Sequence, residues 1–283
     1  MSTHPELAML PPPFESVFLP TDLEPSSHRA FDHGLLIALQ TKGSLRVLHV
    51  YDGTAHKAFP HVRERLLRWG RIGPDAEDHA VAALGIEVTR LETNPGDPVA
   101  RIVKDVEKHT PDLIVMATHG REGILRLINR NVAEPVMRKA HTPTMLLAPS
   151  AKGFVTEWGE VDFSRVLVPV AKAPDPQLAL EGAVRLIRSI GTEEGEIRIL
   201  HVGTEATFPT LRLPEVPGWT VSTVFVDGDV VEQILLDANA MSSQCIVMTS
   251  AGHDSAGDVI FGSLAERVAR EAPCPVLILP VTP

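Results

Sequence analysis

The sequence predicts an α/β fold of two tandem, doubly wound domains, each built on a parallel sheet. Three observations support this prediction. The chain has 283 residues, more than one domain usually contains. Several sequence blocks occur twice in the same order. Within each copy, short apolar runs alternate with helical patterns, which is typical of a parallel sheet covered on both faces.

The second copy of the repeat begins near residue 163. Its first block, residues 163–171, matches residues 14–22, and its last block, residues 273–279, matches residues 141–147. Between them, residues 45–50 match 197–202, 96–99 match 228–231, 113–116 match 245–248, and 132–134 match 264–266. The conserved order argues against chance. We therefore predict a tail at residues 1–13, domains at 14–149 and 163–283, and a linker at 150–162.

The two copies differ in length at one place. Their offset is 149 at the first block, 152 at the second and 132 at the last four, so the second copy lacks about twenty residues. In the first copy the corresponding residues 61–84 predict a helix with a break at Gly73-Pro74. Residues 203–218 of the second copy contain Pro209, Pro214 and Pro217 and predict a loop.

The remaining elements follow from hydrophobic periodicity. Apolar runs predict strands of the first copy at residues 17–20, 47–50, 88–91, 113–117 and 144–148. Val99, Ile102, Val103 and Val106 recur at helical spacing, and similar patterns start at Leu180 and Val231. Strands and helices therefore alternate through both copies.

The composition excludes several classes of partner and location. The 26 basic and 36 acidic residues give a formal charge of −10, which argues against binding nucleic acid or anionic membranes. Two cysteines cannot build a disulfide framework, so a reducing cytoplasm is the expected location. No signal peptide pattern opens the chain, and no run of 18 apolar residues predicts a membrane span.

Catalytic motifs are missing from the sequence. It contains no G-x-x-x-x-G-K-[ST], no G-x-S-x-G and no H-E-x-x-H. Cys245 falls inside an apolar strand and is expected to be inert, and Cys274 has no activating group nearby in sequence. Since no pair of nucleophile and base is visible, the sequence favours a protein that is not an enzyme.

Ligands of open α/β sheets bind beyond the carboxyl ends of the strands, where the strand order reverses. Three segments of each copy are expected there. They are residues 20–22 with 169–171, residues 119–123 with 251–255, and residues 130–132 with 262–264. Their glycines would let the backbone approach an anion, and helix N-termini offer free N–H groups.

These segments resemble the nucleotide-binding branch of the universal stress protein family, and the resemblance covers both copies. That branch carries an Asp after the first strand and a Gly-x-x-Gly loop after the fourth, followed by Gly-Ser. The resemblance implies a Rossmann-like fold of the adenine nucleotide alpha hydrolase type and binding of ATP or AMP. It implies Mg²⁺ only together with the nucleotide.

The first copy keeps Asp22 and both loop glycines of this pattern, but has Arg130-Asn131 where Gly-Ser is expected. By resemblance, Asp22 would hold the base or ribose and the backbone of Val50 would meet the adenine. Asn131 could donate to a phosphate, whereas Arg130 could either contact the phosphates or fill their space. The residues assigned to this site are Pro20, Thr21, Asp22, Val50, His119, Gly120, Gly123, Arg130, Asn131 and Val132.

The second copy departs from the pattern at other positions. It has Ala171 in place of the Asp and Ser255 in place of the second loop glycine. The residues assigned to its site are Val202, Gly252, Gly262 and Ser263. Without a carboxylate at position 171, the sugar end of a nucleotide would be held less well.

Structural roles compete with the ligand roles at most of these positions. Ser263 and Glu266 form an S-x-x-E capping box, and Asn131 and Glu134 form its Asn variant, so both polar residues could simply cap helices. Asp22 could cap the helix that starts near residue 26. His49 and His201 fall in strands and are expected to be buried core histidines. His119 and His253 lie in the glycine loops and are better ligand candidates.

The leading hypothesis is a cytoplasmic regulator of the stress response that binds an adenine nucleotide without efficient catalysis. A slow ATP hydrolase and a ligand-free interaction module remain alternatives. Family members pair through their last strands, so the resemblance implies that residues 144–148 and 276–279 meet at a pseudo-twofold interface. One chain would then imitate a dimer, and a further homodimer stays open.

Overall fold

The computed structural model describes residues 10–51, 53, 58–77, 79–118, 132–251 and 259–281, with the backbone alone at residues 251 and 259–263. We refer to residues 14–149 as the first unit and residues 163–283 as the second unit. The described strands of the first unit are β1 (Ser16–Thr21), β2 (Ser44–Val50), β3 (Glu87–Thr93), β4 (Leu113–Ala117) and β5 (Thr144–Leu147). Its helices are α1 (His28–Thr41), α2 (Val62–Arg68), α3 (Ala80–Ala83), α4 (Pro98–His109) and α5 (Ala133–Ala140), with a 3-10 helix at Pro25–Ser27.

The second unit repeats this order with fewer helices. Its described strands are β6 (Arg165–Pro169), β7 (Gly195–Val202), β8 (Trp219–Val226), β9 (Cys245–Ala251) and β10 (Val276–Val281). Its helices are α6 (Pro176–Ile190), α7 (Val230–Ala240) and α8 (Val259–Glu271), with a 3-10 helix at Glu205–Thr207.

The described strands form one sheet in the order β3-β2-β1-β4-β5-β10-β9-β6-β7-β8. Pairs within each unit are parallel, which confirms the predicted α/β class. The seam between the units is different, because β5 and β10 pair antiparallel. At this seam Thr144 pairs with Ile278, Met145 with Leu277, and Leu146 with Val276. The expectation that the two last strands meet within one chain is therefore confirmed.

Alternation along the strands divides the core into two layers. In β1, Val17 and Leu19 face the layer that contains α1, α2 and α6. Phe18, between them, faces the layer that contains α4, α5, α7 and α8. All three side chains are almost fully buried, as expected for a strand whose successive side chains point to opposite, covered faces.

The units differ between their second and third strands, as the offsets predicted. In the first unit α2 and α3 occupy this stretch, and the chain between them includes the predicted break at Gly73-Pro74. In the second unit only the 3-10 helix interrupts residues 203–218. Phe208 and Leu211 of this loop pack against the core, whereas Leu213 remains exposed.

The predicted linker lies against the first unit. The N–H of Phe154 donates to Nε2 of His33 at 3.0 Å, and the Nε1–H of Trp69 donates to the carbonyl of Glu157 at 3.2 Å. Gly159, at a φ of 78°, sits so close to the Trp69 ring that a Cβ there would lie 2.4 Å from it. Helices α1 and α2 therefore hold the linker at defined positions.

His33 of α1 is fully buried where the linker crosses the helix. Its Nδ1 lies 2.7 Å from the carbonyl oxygen of Arg29, which can only accept, so Nδ1 carries the proton and Nε2 is free to accept from Phe154. Burial lowers the pKa of His33 from 6.5 to about 4. The neutral imidazole is thus the form that both hydrogen bonds require.

We predict that acid weakens the fold through His33. The unfolded chain takes up this proton near pH 6.5 and the folded chain near pH 4, so the stabilisation is present above pH 6.5 and is lost as the pH falls towards 4. The loss amounts to roughly 3 kcal/mol. We therefore expect the difference in unfolding free energy between wild type and His33→Gln to shrink by that amount between pH 7.5 and 4 in urea titrations.

The comparison of two proteins that differ only at position 33 is essential, because Asp32 acts in the opposite direction. Burial raises the pKa of Asp32 to about 7, against the opposing effect of Arg65 and Arg68. Its contribution to stability therefore grows as the pH falls, and it is common to both proteins. A free-energy difference that stays constant across this pH range would contradict the role of His33.

Candidate functional site

The strand order reverses between β1 and β4 in the first unit and between β6 and β9 in the second. In a doubly wound sheet, this reversal opens a crevice at the carboxyl ends of the strands. Pro20 and Thr21 end β1, and Val50 ends β2 beside Thr93 of β3. Val202 ends β7 in the second unit, where Pro169 ends β6. The described strand-end residues therefore lie at the edges where the sequence predicted the two sites.

Asp22 follows β1 directly and is held by its own loop. Its Oδ1 accepts the backbone N–H of Glu24 at 3.0 Å and the hydroxyl of Ser27 at 2.6 Å. Leu23, the residue between Asp22 and Glu24, adopts a φ of 63°, which turns the chain into the 3-10 helix ahead of α1. The carboxylate thus orders the turn before the helix. The alternative from the sequence, that Asp22 caps the helix, is wrong, because Glu24 and Ser27 occupy the N-cap positions.

The two strand histidines are core residues, as predicted. The Nδ1–H of His49 donates to the carbonyl of Thr21 at 2.9 Å, and that of His201 donates to the carbonyl of Val170 at 3.0 Å. Both rings are buried. Each imidazole therefore ties the end of the second strand of its unit to the end of the first, directly beside the position of the carboxylate or its replacement.

An aromatic ring packs against each of these histidines, and the sequence analysis missed it. Phe59 meets His49 edge-on, with ring centroids 6.4 Å apart, and Phe208 meets His201 at 5.6 Å. Phe-Pro occurs at residues 59–60 and again at 208–209, an offset of 149 that matches the first repeat block. This short match was the available signal, and it continues the repeat into a stretch where the helices differ.

The proposed phosphate-binding loops are only partly described. His119, Gly120, Gly123, Arg130, Asn131, Gly252 and His253 lie outside the described residues. Val132 occupies the position before α5, and its carbonyl accepts the N–H of Val136 at 3.1 Å. The roles of these residues therefore remain predictions.

The placement of Gly262 and Ser263 corrects a prediction. The sequence placed both residues at the start of the last helix, but α8 begins at Val259. Ser263 is therefore the fifth helical residue, where its backbone N–H is used inside the helix and the residue cannot be the N-cap. Residues 259–261 are Val, Ile and Phe, so this stretch contains no proline that would prevent the helix from including them.

The glutamates of the predicted capping boxes are also used differently. Glu134 forms an ion pair with Arg138 on the same helix, and Arg138 reaches Glu266 of α8, with Nη2 and Oε1 3.2 Å apart. Burial and the neighbouring Glu134 raise the pKa of Glu266. Since Arg138 lies on α5 of the first unit and Glu266 on α8 of the second, the Arg138 guanidinium links the two units by contacting both carboxylates.

Other classes of site find little support in the described part of the chain. No group of three or more His, Cys, Asp or Glu side chains there could hold a metal ion. No helix in that part is long and apolar enough to span a membrane. Burial raises the pKa of Cys245, and that of Cys274 to about 12, which confirms that neither thiol is activated.

We predict that Asp22 and Ser27 stabilise the fold as a coupled pair. Their hydrogen bond involves a charged acceptor and a buried hydroxyl, so a double-mutant cycle of Asp22→Ala and Ser27→Ala in urea unfolding should give a coupling of about 1.5 kcal/mol. The exposed neighbour Ser26 is the control, since Ser26→Ala should add to Asp22→Ala without coupling. Equal coupling at both serines would contradict the geometry.

Comparisons with known proteins agree with the fold and the repeat. The model of the universal stress protein family matches residues 13–148 and 210–280. A universal stress protein of Methanocaldococcus jannaschii is 27% identical over 145 residues, which cover 49% of this chain and 85% of that protein. The universal stress protein YxiE of Bacillus subtilis is 24% identical over 149 residues, which cover 41% of this chain and 99% of that protein.

A solved structure resembles the chain over both units. The crystal structure of a universal stress protein from Archaeoglobus fulgidus aligns with a TM-score of 0.62 at 23% identity. The alignment covers 94% of this chain and 98% of that one, so the likeness extends to the paired units. Since the family model matches most of the sequence in two segments, the chain belongs to the universal stress protein family.

Proposed function

We propose that the first unit binds an adenine nucleotide, ATP or AMP, at the carboxyl ends of β1 and β2. The observation that carries this proposal is the placement of Asp22 at the strand-order reversal, with its carboxylate fixed by Ser27 and the N–H of Glu24. A carboxylate that is already ordered loses little freedom when it accepts a hydrogen bond from a base or ribose. His49 adds rigidity by holding the preceding carbonyl of Thr21.

The neighbouring strand supplies the rest of the base and sugar end. The backbone of Val50 ends β2 beside β1, where it would meet the adenine edge. The phosphates would then fall to residues 119–131, with Gly120 and Gly123 as the cradle and Asn131 as a donor. Mg²⁺ would enter only with the nucleotide phosphates.

The second unit is proposed to bind the nucleotide more weakly. Ala171 is exposed at the position that corresponds to Asp22, so no carboxylate faces the sugar end there. Ser263 lies inside α8, which leaves its backbone N–H committed to the helix. The same holds for Gly262, so Gly252 and Val202 remain as the backbone part of this second site.

We further propose that the protein acts as a cytoplasmic regulator of the stress response rather than as an efficient enzyme. Cys245 and Cys274 are both free and buried, which fits a reducing compartment. Their thiols have raised pKa values, so neither is poised as a nucleophile. A bound nucleotide would then act by shifting the population of conformations.

We predict that AMP and ATP bind wild type and that Asp22→Asn weakens binding at least tenfold in calorimetric titrations. The asparagine keeps an acceptor for Ser27 and removes the charge, so the loop should stay folded. Glu24→Gln makes the same change of charge two residues away and should leave the affinity within twofold. Equal affinities in wild type and Asp22→Asn would contradict the proposed site.

A gain of function tests the second unit. In the Asp22→Asn background, Ala171→Asp should restore a carboxylate at the corresponding strand end and raise AMP affinity at least fivefold. Mass spectrometry of nucleotide released from the denatured, purified protein shows what the protein carries when purified. Phosphate release from ATP that depends on Asp22 would favour a slow hydrolase instead, and the absence of any nucleotide binding would favour an interaction module.

A further inference from the structure

A cleft of about 670 Å³ lies between α1 and α2, beside the turn that follows Asp22, since Pro25 and Ser26 belong to its lining. We call it the α1–α2 cleft. It is lined by His28, Arg29 and Asp32 of α1, Arg65 and Arg68 of α2, and Glu157 of the linker, among others. Thr21, Asp22 and Val50 are not among its lining residues. Its volume falls in the range that accommodates small organic ligands.

Three arginines from two helices converge on this cleft. Nη1 of Arg29 donates to the carbonyls of Pro149, at 3.3 Å, and Ala151, so its guanidinium is fixed against the start of the linker. Arg68 forms no ion pair with a carboxylate in the described part of the chain. A guanidinium group without a carboxylate partner keeps its N–H donors available for phosphate oxygens.

Arg65 is positioned by a buried partner. Its Nε lies 2.8 Å from Oδ1 of Asp32, and the two side chains are only 13% and 8% exposed. The contact is an ion pair without hydrogen-bond geometry, because the buried Oδ1 of Asp32 accepts no hydrogen bond in the described part of the chain, and it places the guanidinium in the wall of the cleft. Burial raises the pKa of Asp32 to about 7 against the opposing effect of Arg65 and Arg68, so part of its negative charge remains in the wall of the cleft near pH 7.

The remaining lining gives the cleft a mixed character. Burial and the nearby Arg65 lower the pKa of His28, so its imidazole is neutral near pH 7 and can exchange hydrogen bonds with hydroxyl groups. Phe59, Pro60 and Leu147 contribute apolar surface. Glu64 and Glu157 are the other acidic residues of the lining. Cationic, neutral polar and apolar groups together match a phosphorylated organic molecule better than a bare ion.

The described part of the second unit lacks the counterparts of the residues and the helix that form this cleft. At the offset of 149, the positions of Arg29 and Asp32 correspond to Leu178 and Glu181 of α6. The second unit has no helix equivalent to α2 within residues 203–218, apart from the 3-10 helix. The linker completes the difference, because Glu157 lines the cleft while its carbonyl is bonded to Trp69.

From these contacts we propose that the α1–α2 cleft binds a small organic phosphate, with Arg65 and Arg68 as the phosphate ligands. None of the described residues of the proposed nucleotide site lines the cleft, so the two proposals rest on different side chains and can fail independently. A ligand there would touch α1, α2 and the linker at once, so its binding would stabilise the docked linker by mass action.

The test is a calorimetric titration with ribose 5-phosphate in the presence of saturating AMP, which fills the proposed nucleotide site if that site binds. We expect saturable binding to wild type and at least tenfold weaker binding to Arg68→Ala. Arg71→Ala is the matched control, since Arg71 is exposed and outside the lining, and it should bind like wild type. Asp22→Asn should also bind ribose 5-phosphate like wild type, whatever its effect on AMP.

Two further measurements sharpen the outcome. Asp32→Asn removes a carboxylate from the wall and should tighten binding severalfold, a gain that a destabilised fold would not produce. Inorganic phosphate should bind at least fivefold more weakly than ribose 5-phosphate. Any one of four results would overturn the proposal. They are no saturable binding to wild type, equal affinities in Arg68→Ala and Arg71→Ala, no gain in Asp32→Asn, and equal affinities for the two probes.

Discussion

The antiparallel pairing of β5 with β10 is the constraint on which the rest of the architecture depends. It joins two parallel half-sheets and buries strands that would otherwise be edges with unpaired backbone groups. Because all strands of the first unit run parallel to β5 and all strands of the second run parallel to β10, the carboxyl ends of the two half-sheets face opposite ways. The two predicted nucleotide sites therefore lie on opposite edges of one sheet.

The same pairing explains the path of the linker, and the linker contacts explain why only the first unit uses helix α2. The end of β5 and the start of β6 lie on the same edge of the sheet, so the linker stays on that edge and crosses α1 and α2. Phe154 and Phe163 continue this contact by edge-to-face packing at 5.0 Å, and Phe163 meets Trp219 of the second unit. Helix α2 of the first unit thus holds the linker through Trp69, and the second unit has no α2 equivalent within residues 203–218.

How much the sequence could predict depended on whether a feature is local or repeated. The apolar runs that alternate with helical patterns predicted the parallel sheet, and the resemblance to a family predicted that the two last strands meet at the seam. The position of Asp22 after the first strand was predicted, but its bond to Ser27 was not, because the turn at Leu23 that brings the two side chains together has no sequence signal. The predicted start of α8 was wrong, because a capping box is a short pattern that also fits the interior of a helix. The α1–α2 cleft was missed, because its arginines come from helices that only the tertiary fold brings together.

Helix α1 links these features because its faces have different partners. Leu35 and Leu36 are buried in the core layer of this helix, whereas the consecutive residues Asp32 and His33 contact different neighbours. Asp32 meets α2 and His33 meets the linker, as expected when successive side chains are rotated by about 100° around a helix. The acidic net charge of the chain says nothing about this arrangement, since the three arginines of the cleft act over a few ångströms and distant charges are screened. Local geometry therefore decides what each face of the helix can bind.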